Sequence, residues 1–123
     1  MNQKKTILLL IDDFSTKILT SISLRMENFD VIEATNADNA MNAVMNKNAN
    51  LIILSPSKKD KDGLESLKLL RSSTDLRFTP VLILADENQS SMQMDWKEAG
   101  ANAWLTKPFS HAQLMRIIKM VVF

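Results

Sequence analysis

The sequence predicts an α/β fold, a doubly wound five-stranded parallel sheet covered by helices on both faces. Three observations lead to it. Short unbroken apolar runs at Ile7–Ile11, Leu51–Leu54 and Val81–Ala85 read as strands buried on both faces. Segments with helical apolar spacing alternate with the strands at short intervals, a pattern that calls for parallel strands joined by helical crossovers. No repeat, linker or low-complexity tract interrupts the pattern, so residues 1–123 are expected to form a single domain. Right-handed crossovers leave few topologies, and either common strand order brings the ends of strands one and three together.

Thr6 to Ile11 is the first strand, and Asp12-Asp13-Phe14-Ser15 turns the chain into a helix that Asp13 or Ser15 can cap. Ile18, Ile22 and Met26, with Leu19 beside them, give that helix an apolar face expected to meet the core. Asp30 to Ala34 is a more mixed strand, placed at an edge. Asn36 or Asp38 opens a second helix with Ala40, Ala43, Val44 and Lys47 on one face, widened by Met41 and Met45. Leu51 to Leu54 is the third strand, and Leu64, Leu67 and Leu70 mark a third helix after an Asp62-Gly63 turn. Pro80 leads into the fourth strand, Val81 to Ala85. A weakly patterned helix follows from about Gln89 to Ala99, with Gly100 as its stop. Ala103 to Thr106 is the fifth strand. Ser110 caps a last helix whose core stripe is Leu114, Ile117, Ile118 and Val121.

The stretch Leu51 to Gly63 organises the functional reading. In open parallel sheets the ligand-facing residues lie just past the carboxyl ends of the strands, and here that position is Ser55. Asp12, Asp13 and Ser55 are expected to line one crevice, flanked by Ala85 and Lys107. A serine hydroxyl needs a neighbouring general base to act as a nucleophile, and no histidine falls in this crevice.

Composition removes several classes. Hydrophobic residues make up 46% and charged residues 24% of 123, with a formal net charge of +1; these are values of a globular domain with no basic stripe for nucleic acid. The Lys58-Lys59-Asp60-Lys61 cluster is short and interrupted by an acid, which makes it a solvated loop. Absent cysteine excludes disulfides and thiolate metal sites, and the single histidine excludes multi-histidine zinc sites. The first apolar run is too short for a signal or membrane segment and is stopped by Asp12-Asp13, so a cytoplasmic location with no membrane partner is expected.

Four motifs, in order and on the expected elements, carry a resemblance. Asp12-Asp13 after strand one, Asp62-Gly63-Leu64, Ala99-Gly100-Ala101 before strand five and Lys107-Pro108-Phe109 resemble the receiver domain of two-component response regulators, the chemotaxis regulator above all. The match runs from about Lys5 to Val122. The resemblance implies a flavodoxin-like (CheY-like) sheet of order 2-1-3-4-5 and a cis peptide bond at Lys107-Pro108. It also implies Mg²⁺ held by the acidic pair and by a third aspartate that accepts a phosphoryl group from a histidine kinase. A hydroxyl residue after strand four and a lysine after strand five would contact the phosphoryl oxygens. Carried over, the acidic pair is Asp12 and Asp13 and the lysine is Lys107, but the acceptor position holds Ser55 and the hydroxyl position Ala85. The loop proline that the family often carries is Lys59.

The expectation is therefore a degenerate receiver without catalytic role, a protein-interaction module that does not use aspartyl phosphorylation. No cofactor is required, and Mg²⁺ binds weakly, with Lys107 neutralising the acidic pair from within. Partners are signalling proteins, a histidine kinase or an output protein. Trp104 is read as a fixed contact residue on the face of helix four, strand five and helix five. Trp96, Met92, Met94 and Met115 extend that face, as a partner or self-association surface. His111 is expected at the surface near the start of the last helix. Two other readings stand beside this one: a working receiver with its acceptor at Asp12, Asp13 or Asp60, and a flavodoxin-like ligand binder using the same crevice. The chain's two glycines count against a phosphate-binding loop in the latter.

Overall fold

The computed structural model describes residues 4–44, 48–55 and 60–122, the side chains of residues 60–63 excepted. Its strands are β1 (Thr6–Ile11), β2 (Asp30–Ala34), β3 (Leu51–Ser55), β4 (Val81–Ala85) and β5 (Ala103–Thr106). They form one parallel sheet of order β2-β1-β3-β4-β5, as expected, with β2 at an edge. The helices are α1 (Phe14–Met26), α2 (Ala37–Ala43), α3 (Asp60–Ser72), α4 (Gln93–Glu98) and α5 (His111–Val122), with a 3₁₀ segment at Glu87–Met92.

Strand alternation divides the core into two layers. Leu8, Leu10, Ile52, Leu54, Val81 and Ile83 face the side covered by α2, α3 and α4, where Ala40, Val44, Leu67, Leu70 and Trp96 close the layer. Ile7, Leu9, Leu51, Ile53, Leu82 and Leu84 face the other side and meet Leu24, Leu114, Met115 and Ile118 from α1 and α5. Burial on both faces is why these strands read as continuous apolar runs.

Local signals set the helix ends. Asn36 caps α2, its side chain accepting from the Asn39 N–H at 2.8 Å. In α5 the Gln113 N–H donates to Ser110 Oγ at 3.1 Å while the Ser110 N–H donates to Gln113 Oε1 at 2.8 Å, a reciprocal capping box. Two helices end in Schellman motifs with a left-handed residue. Asn28 (φ 67°) follows α1, with the Phe29 N–H on Leu24 O and the Asn28 N–H on Arg25 O. Gly100 (φ 113°) follows α4, with the Ala101 N–H on Trp96 O and the Gly100 N–H on Lys97 O.

Four expectations are corrected. Ile18, Leu19, Ile22 and Met26 of α1 do not face the core; they are 39%, 65%, 52% and 72% exposed. The buried face of α1 is Thr20, Ser21 and Leu24; the Asp13 cap and Leu24 packing fix the helix's rotation, and small residues sit against the sheet. The helix expected at 89–99 is a 3₁₀ segment, Glu87–Met92, followed by the six-residue α4. Its tighter winding shifts the phase and turns Trp96 into the core, fully buried. Met115 is likewise core, 5% exposed, because α5 buries positions 114, 115 and 118. Asp62-Gly63 lies within α3, which is helical from Asp60. Of α2's expected face, Ala40 and Val44 are buried and Ala43 is exposed, while Met45 and Lys47 lie outside the described residues, as do Lys58 and Lys59.

Arg71 holds the amino-terminal edge of the sheet together, and no sequence motif pointed to it. Its Nη1 donates to the carbonyls of Leu76 (2.9 Å), Arg77 (3.2 Å) and Thr79 (2.5 Å). Its Nη2 donates to Gly100 O (2.7 Å) and Asn102 Oδ1 (3.1 Å). One guanidinium thus joins the α3–β4 connection to the α4–β5 turn.

Candidate functional site

Parallel pairing of β1 with β3 places Ile11 opposite Ser55, so the Asp12-Asp13 pair emerges beside Ser55 at the carboxyl edge of the sheet. Pairing of β4 with β5 sets Ala85 opposite Thr106, and the Lys107 N–H continues that ladder by donating to Ala85 O at 2.7 Å. The expected residues Asp12, Asp13, Ser55, Ala85 and Lys107 therefore do share one edge. Lys107-Pro108 is a cis peptide bond.

The side chains are arranged as follows. Ser55 is buried, and its Oγ accepts a hydrogen bond from Lys107 Nζ at 2.8 Å. Two strand spacings, roughly 10 Å, separate β5 from β3, and the lysine side chain reaches across the end of β4 to Ser55. Asp13 is engaged with its own helix. Its Oδ2 accepts from the Thr16 N–H at 2.9 Å and from Thr16 Oγ1 at 2.5 Å, capping α1. Those hydrogen bonds, side chain first and backbone second, together with the Lys107 charge, hold the Asp13 carboxyl below its ordinary value. Asp12 is exposed and forms no hydrogen bond or ion pair with another described residue. The internal neutralisation expected of Lys107 is thus partial: its charge is felt by Asp13, while its hydrogen bond goes to Ser55.

The cap makes a prediction. Replacing Asp13 with alanine should cost about 1 kcal/mol at neutral pH, whereas D13N should lose less, because an asparagine oxygen can still accept. A carboxyl whose folded-state pKa is depressed stabilises the fold above its unfolded value and stops doing so as pH falls through the folded value. The stability gap between wild type and D13A should therefore be full at neutral pH and shrink in acid, below the ordinary carboxylate range. Urea unfolding of both proteins at several pH values checks this; a gap independent of pH would contradict it.

The carboxylate donors open to a Mg²⁺ ion here are Asp12 and the second oxygen of Asp13. One oxygen of Asp13 is committed to the helix cap, Ser55 is held by a cation, and no cluster of three acidic or histidine side chains occurs among the described residues. Mg²⁺ prefers a compact oxygen cage, usually one or two carboxylates completed by waters and substrate oxygens.

The expected contact face is smaller than the sequence suggested. Trp104 is half-buried against the core layer and Met94 is exposed, while Met92 is half-buried against the same layer. Trp104 lines a groove of ≈ 320 Å³ with Gln93, Lys97, Ala101, Asn102 and Ala103. His111, half-exposed, places Nε2 3.0 Å from Glu27 Oε1, pinning the start of α5 to the end of α1. Among the described residues no helix is long and apolar enough to cross a membrane.

Comparison with known proteins places this edge in context. Residues 7–119 match the model of the response regulator receiver domain. The phosphate regulon transcriptional regulatory protein PhoB of Pseudomonas aeruginosa is 25% identical over 118 residues, 96% of this chain and 52% of that protein. The alkaline phosphatase synthesis transcriptional regulatory protein PhoP of Bacillus subtilis is 30% identical over 122 residues, 99% of this chain and 49% of that one. The chain thus spans about half the length of these relatives. Among solved structures, Vibrio cholerae chemotaxis protein CheY4 superposes with a TM-score of 0.86 at 25% identity, covering 97% of this chain and 99% of the other. The receiver domain of the Pseudomonas aeruginosa sensor histidine kinase PA1611, whose structure holds a magnesium ion in its active-site cleft, superposes with a TM-score of 0.84 at 22% identity, covering 98% of each chain. Its fold is the flavodoxin-like, CheY-like one, and the chain belongs to the response regulator receiver domain family.

Proposed function

We propose that this receiver is degenerate: it takes part in two-component signalling as a protein-interaction module that does not use aspartyl phosphorylation. The observation that carries the reading is the hydrogen bond from Lys107 Nζ to Ser55 Oγ, 2.8 Å long and placed where the family's acceptor aspartate would lie. A serine oxygen held by an ammonium donor is a poor nucleophile, since attack on phosphorus needs a base to remove its proton. Ala85 supplies no hydroxyl beside it. In this reading the lysine satisfies a buried polar group rather than waiting for a phosphoryl oxygen, and the domain holds one form or is switched by its partner's binding energy. The contact face is the exposed part of the α4–β5–α5 surface, Met94 and the Trp104 groove, and the partner is a histidine kinase or an output protein.

Metal binding tests this reading. Calorimetric titration with Mg²⁺ should give a dissociation constant of about 1 mM or weaker, because two carboxylates, one of them engaged in a helix cap, face the site without a third. Saturable binding in the tens-of-micromolar range would contradict it.

A further inference from the structure

At the amino-terminal edge of the sheet, the connection between α3 and β4 turns an aromatic ring out into water. Phe78 is 83% exposed, more than any other large hydrophobic side chain among the described residues. A single exposed apolar side chain is ordinary on a protein surface, but the setting of this one is not. Leu76 and Thr79, on either side of the pair Arg77-Phe78, are both buried. The Thr79 N–H donates to Leu76 O at 3.3 Å, closing a turn with Arg77 and Phe78 at its tip. The carbonyls of Leu76, Arg77 and Thr79 all accept from the Arg71 guanidinium. The backbone is thus fixed on both sides of Phe78, and the ring stands out from a rigid base. The Arg77 guanidinium lies over that ring, 4.8 Å from its centroid, within cation–π range. No ion pair among the described residues engages Arg77.

We propose that Arg77 and Phe78 form a docking point for an acidic segment of a partner protein, one that sets a carboxylate beside an apolar side chain. Arg77 forks the carboxylate: stacking on the ring orients the guanidinium and leaves its N–H edges open. The apolar side chain covers the ring face that Arg77 leaves bare. Arginine and aromatic residues are the types that carry binding energy in interfaces, and a backbone already pinned by Arg71 loses little freedom on binding.

Charge selects this occupant. Around the ends of α3 and α4, Lys68, Arg71, Arg77 and Lys97 stand against Asp75 and Glu98, an excess of positive charge that favours a negative partner. A two-fold pairing of copies centred here would set the basic patch on itself, like charge on like. Nucleic acid fits less well, because the two carboxylates interrupt the run of cations that a phosphate backbone needs. One turn makes a small contact, so the binding is weak and transient. The docking point lies at the opposite edge of the sheet from Ser55 and Lys107, and it holds whether or not that site is silent.

Amide-resolved NMR titration of the full chain tests it, with a synthetic peptide of glutamates flanking a leucine–phenylalanine pair as the probe. The amide signals of Arg77, Phe78 and Thr79 should shift saturably. F78A and R77E should each weaken binding about tenfold with the melting temperature unchanged, since neither side chain is buried. Raising the salt to about 0.5 M should weaken it several-fold, and M94E, on α4, should bind like the wild type. The same peptide with lysines in place of glutamates, and a poly-thymidine oligonucleotide, should leave these signals still. Shifts that miss residues 77–79, survive both F78A and R77E, or appear equally with the lysine peptide or the oligonucleotide would overturn the proposal, as would signals at 77–79 that move on dilution of the protein alone.

Discussion

S55D, the replacement of Ser55 with aspartate, is expected to gain the mass of one phosphoryl group when incubated with acetyl phosphate and Mg²⁺. The position already has what a carboxylate there would need. It lies opposite Ile11 at the carboxyl edge, beside Asp12 and Asp13, and Lys107 Nζ stands 2.8 Å from the present Oγ. The new carboxylate would be buried, but beside an ammonium group, so it is not left as an unpaired buried charge. An ionised carboxylate attacks phosphorus without a general base and acetate departs; a serine hydroxyl has no such route here. The third carboxylate also raises the negative charge facing a divalent ion, and Mg²⁺ should bind S55D about tenfold more tightly than the wild type or better. A folded S55D that takes no phosphoryl group would mean that Ala85, or the cap that occupies Asp13, is enough to silence the site.

The largest loss of stability is expected at Arg71. R71A removes donors from four backbone carbonyls and from Asn102 Oδ1, an oxygen that also accepts the Val81 N–H at 2.8 Å. Hydrogen bonds from a charged donor are worth more than neutral ones, and the abandoned carbonyls become unsatisfied acceptors. Water reaches part of this partly buried site and recovers some of the loss. A cost of about 2–3 kcal/mol is expected, a fall of roughly 10 °C in melting temperature. R71K should recover little, because an ammonium cannot fork to both segments. Gly100 belongs to the same unit: it is left-handed, and a Cβ there would fall 2.8 Å from Arg71 Nε. Thermal melts of R71A and R71K decide it; an R71A melt within a degree or two of wild type would show that the loop and turn hold without the arginine.

The strands were legible because burial on both sides leaves continuous apolar runs, and β3 and β4 show them from end to end. The caps at Asp13, Asn36 and Ser110 were legible too, since each depends on a few neighbouring residues. What escaped the sequence depended on rotation or on distant partners. The apolar stripe of α1 was read as core because amphipathic helices usually bury it, yet here packing at Leu24 and the Asp13 cap turn it outward. Trp96 was misplaced because a 3₁₀ segment ahead of α4 changed the winding. Arg71 bonds to carbonyls between 5 and 29 residues away, and carbonyls carry no sequence signature. At the site, the identities of Asp12, Asp13, Ser55, Ala85 and Lys107 could be read directly. The contact between Lys107 and Ser55 could not, because it spans two strands.

Intact-protein mass spectrometry of the wild type after incubation with acetyl phosphate and Mg²⁺, beside an ordinary receiver as positive control, tests the central claim most directly. The degenerate reading predicts an unmodified mass here and a phosphoryl adduct on the control. An adduct on the wild type would contradict it, and mapping that adduct to Ser55, Asp12, Asp13 or Asp60 would identify the residue that accepts the phosphoryl group.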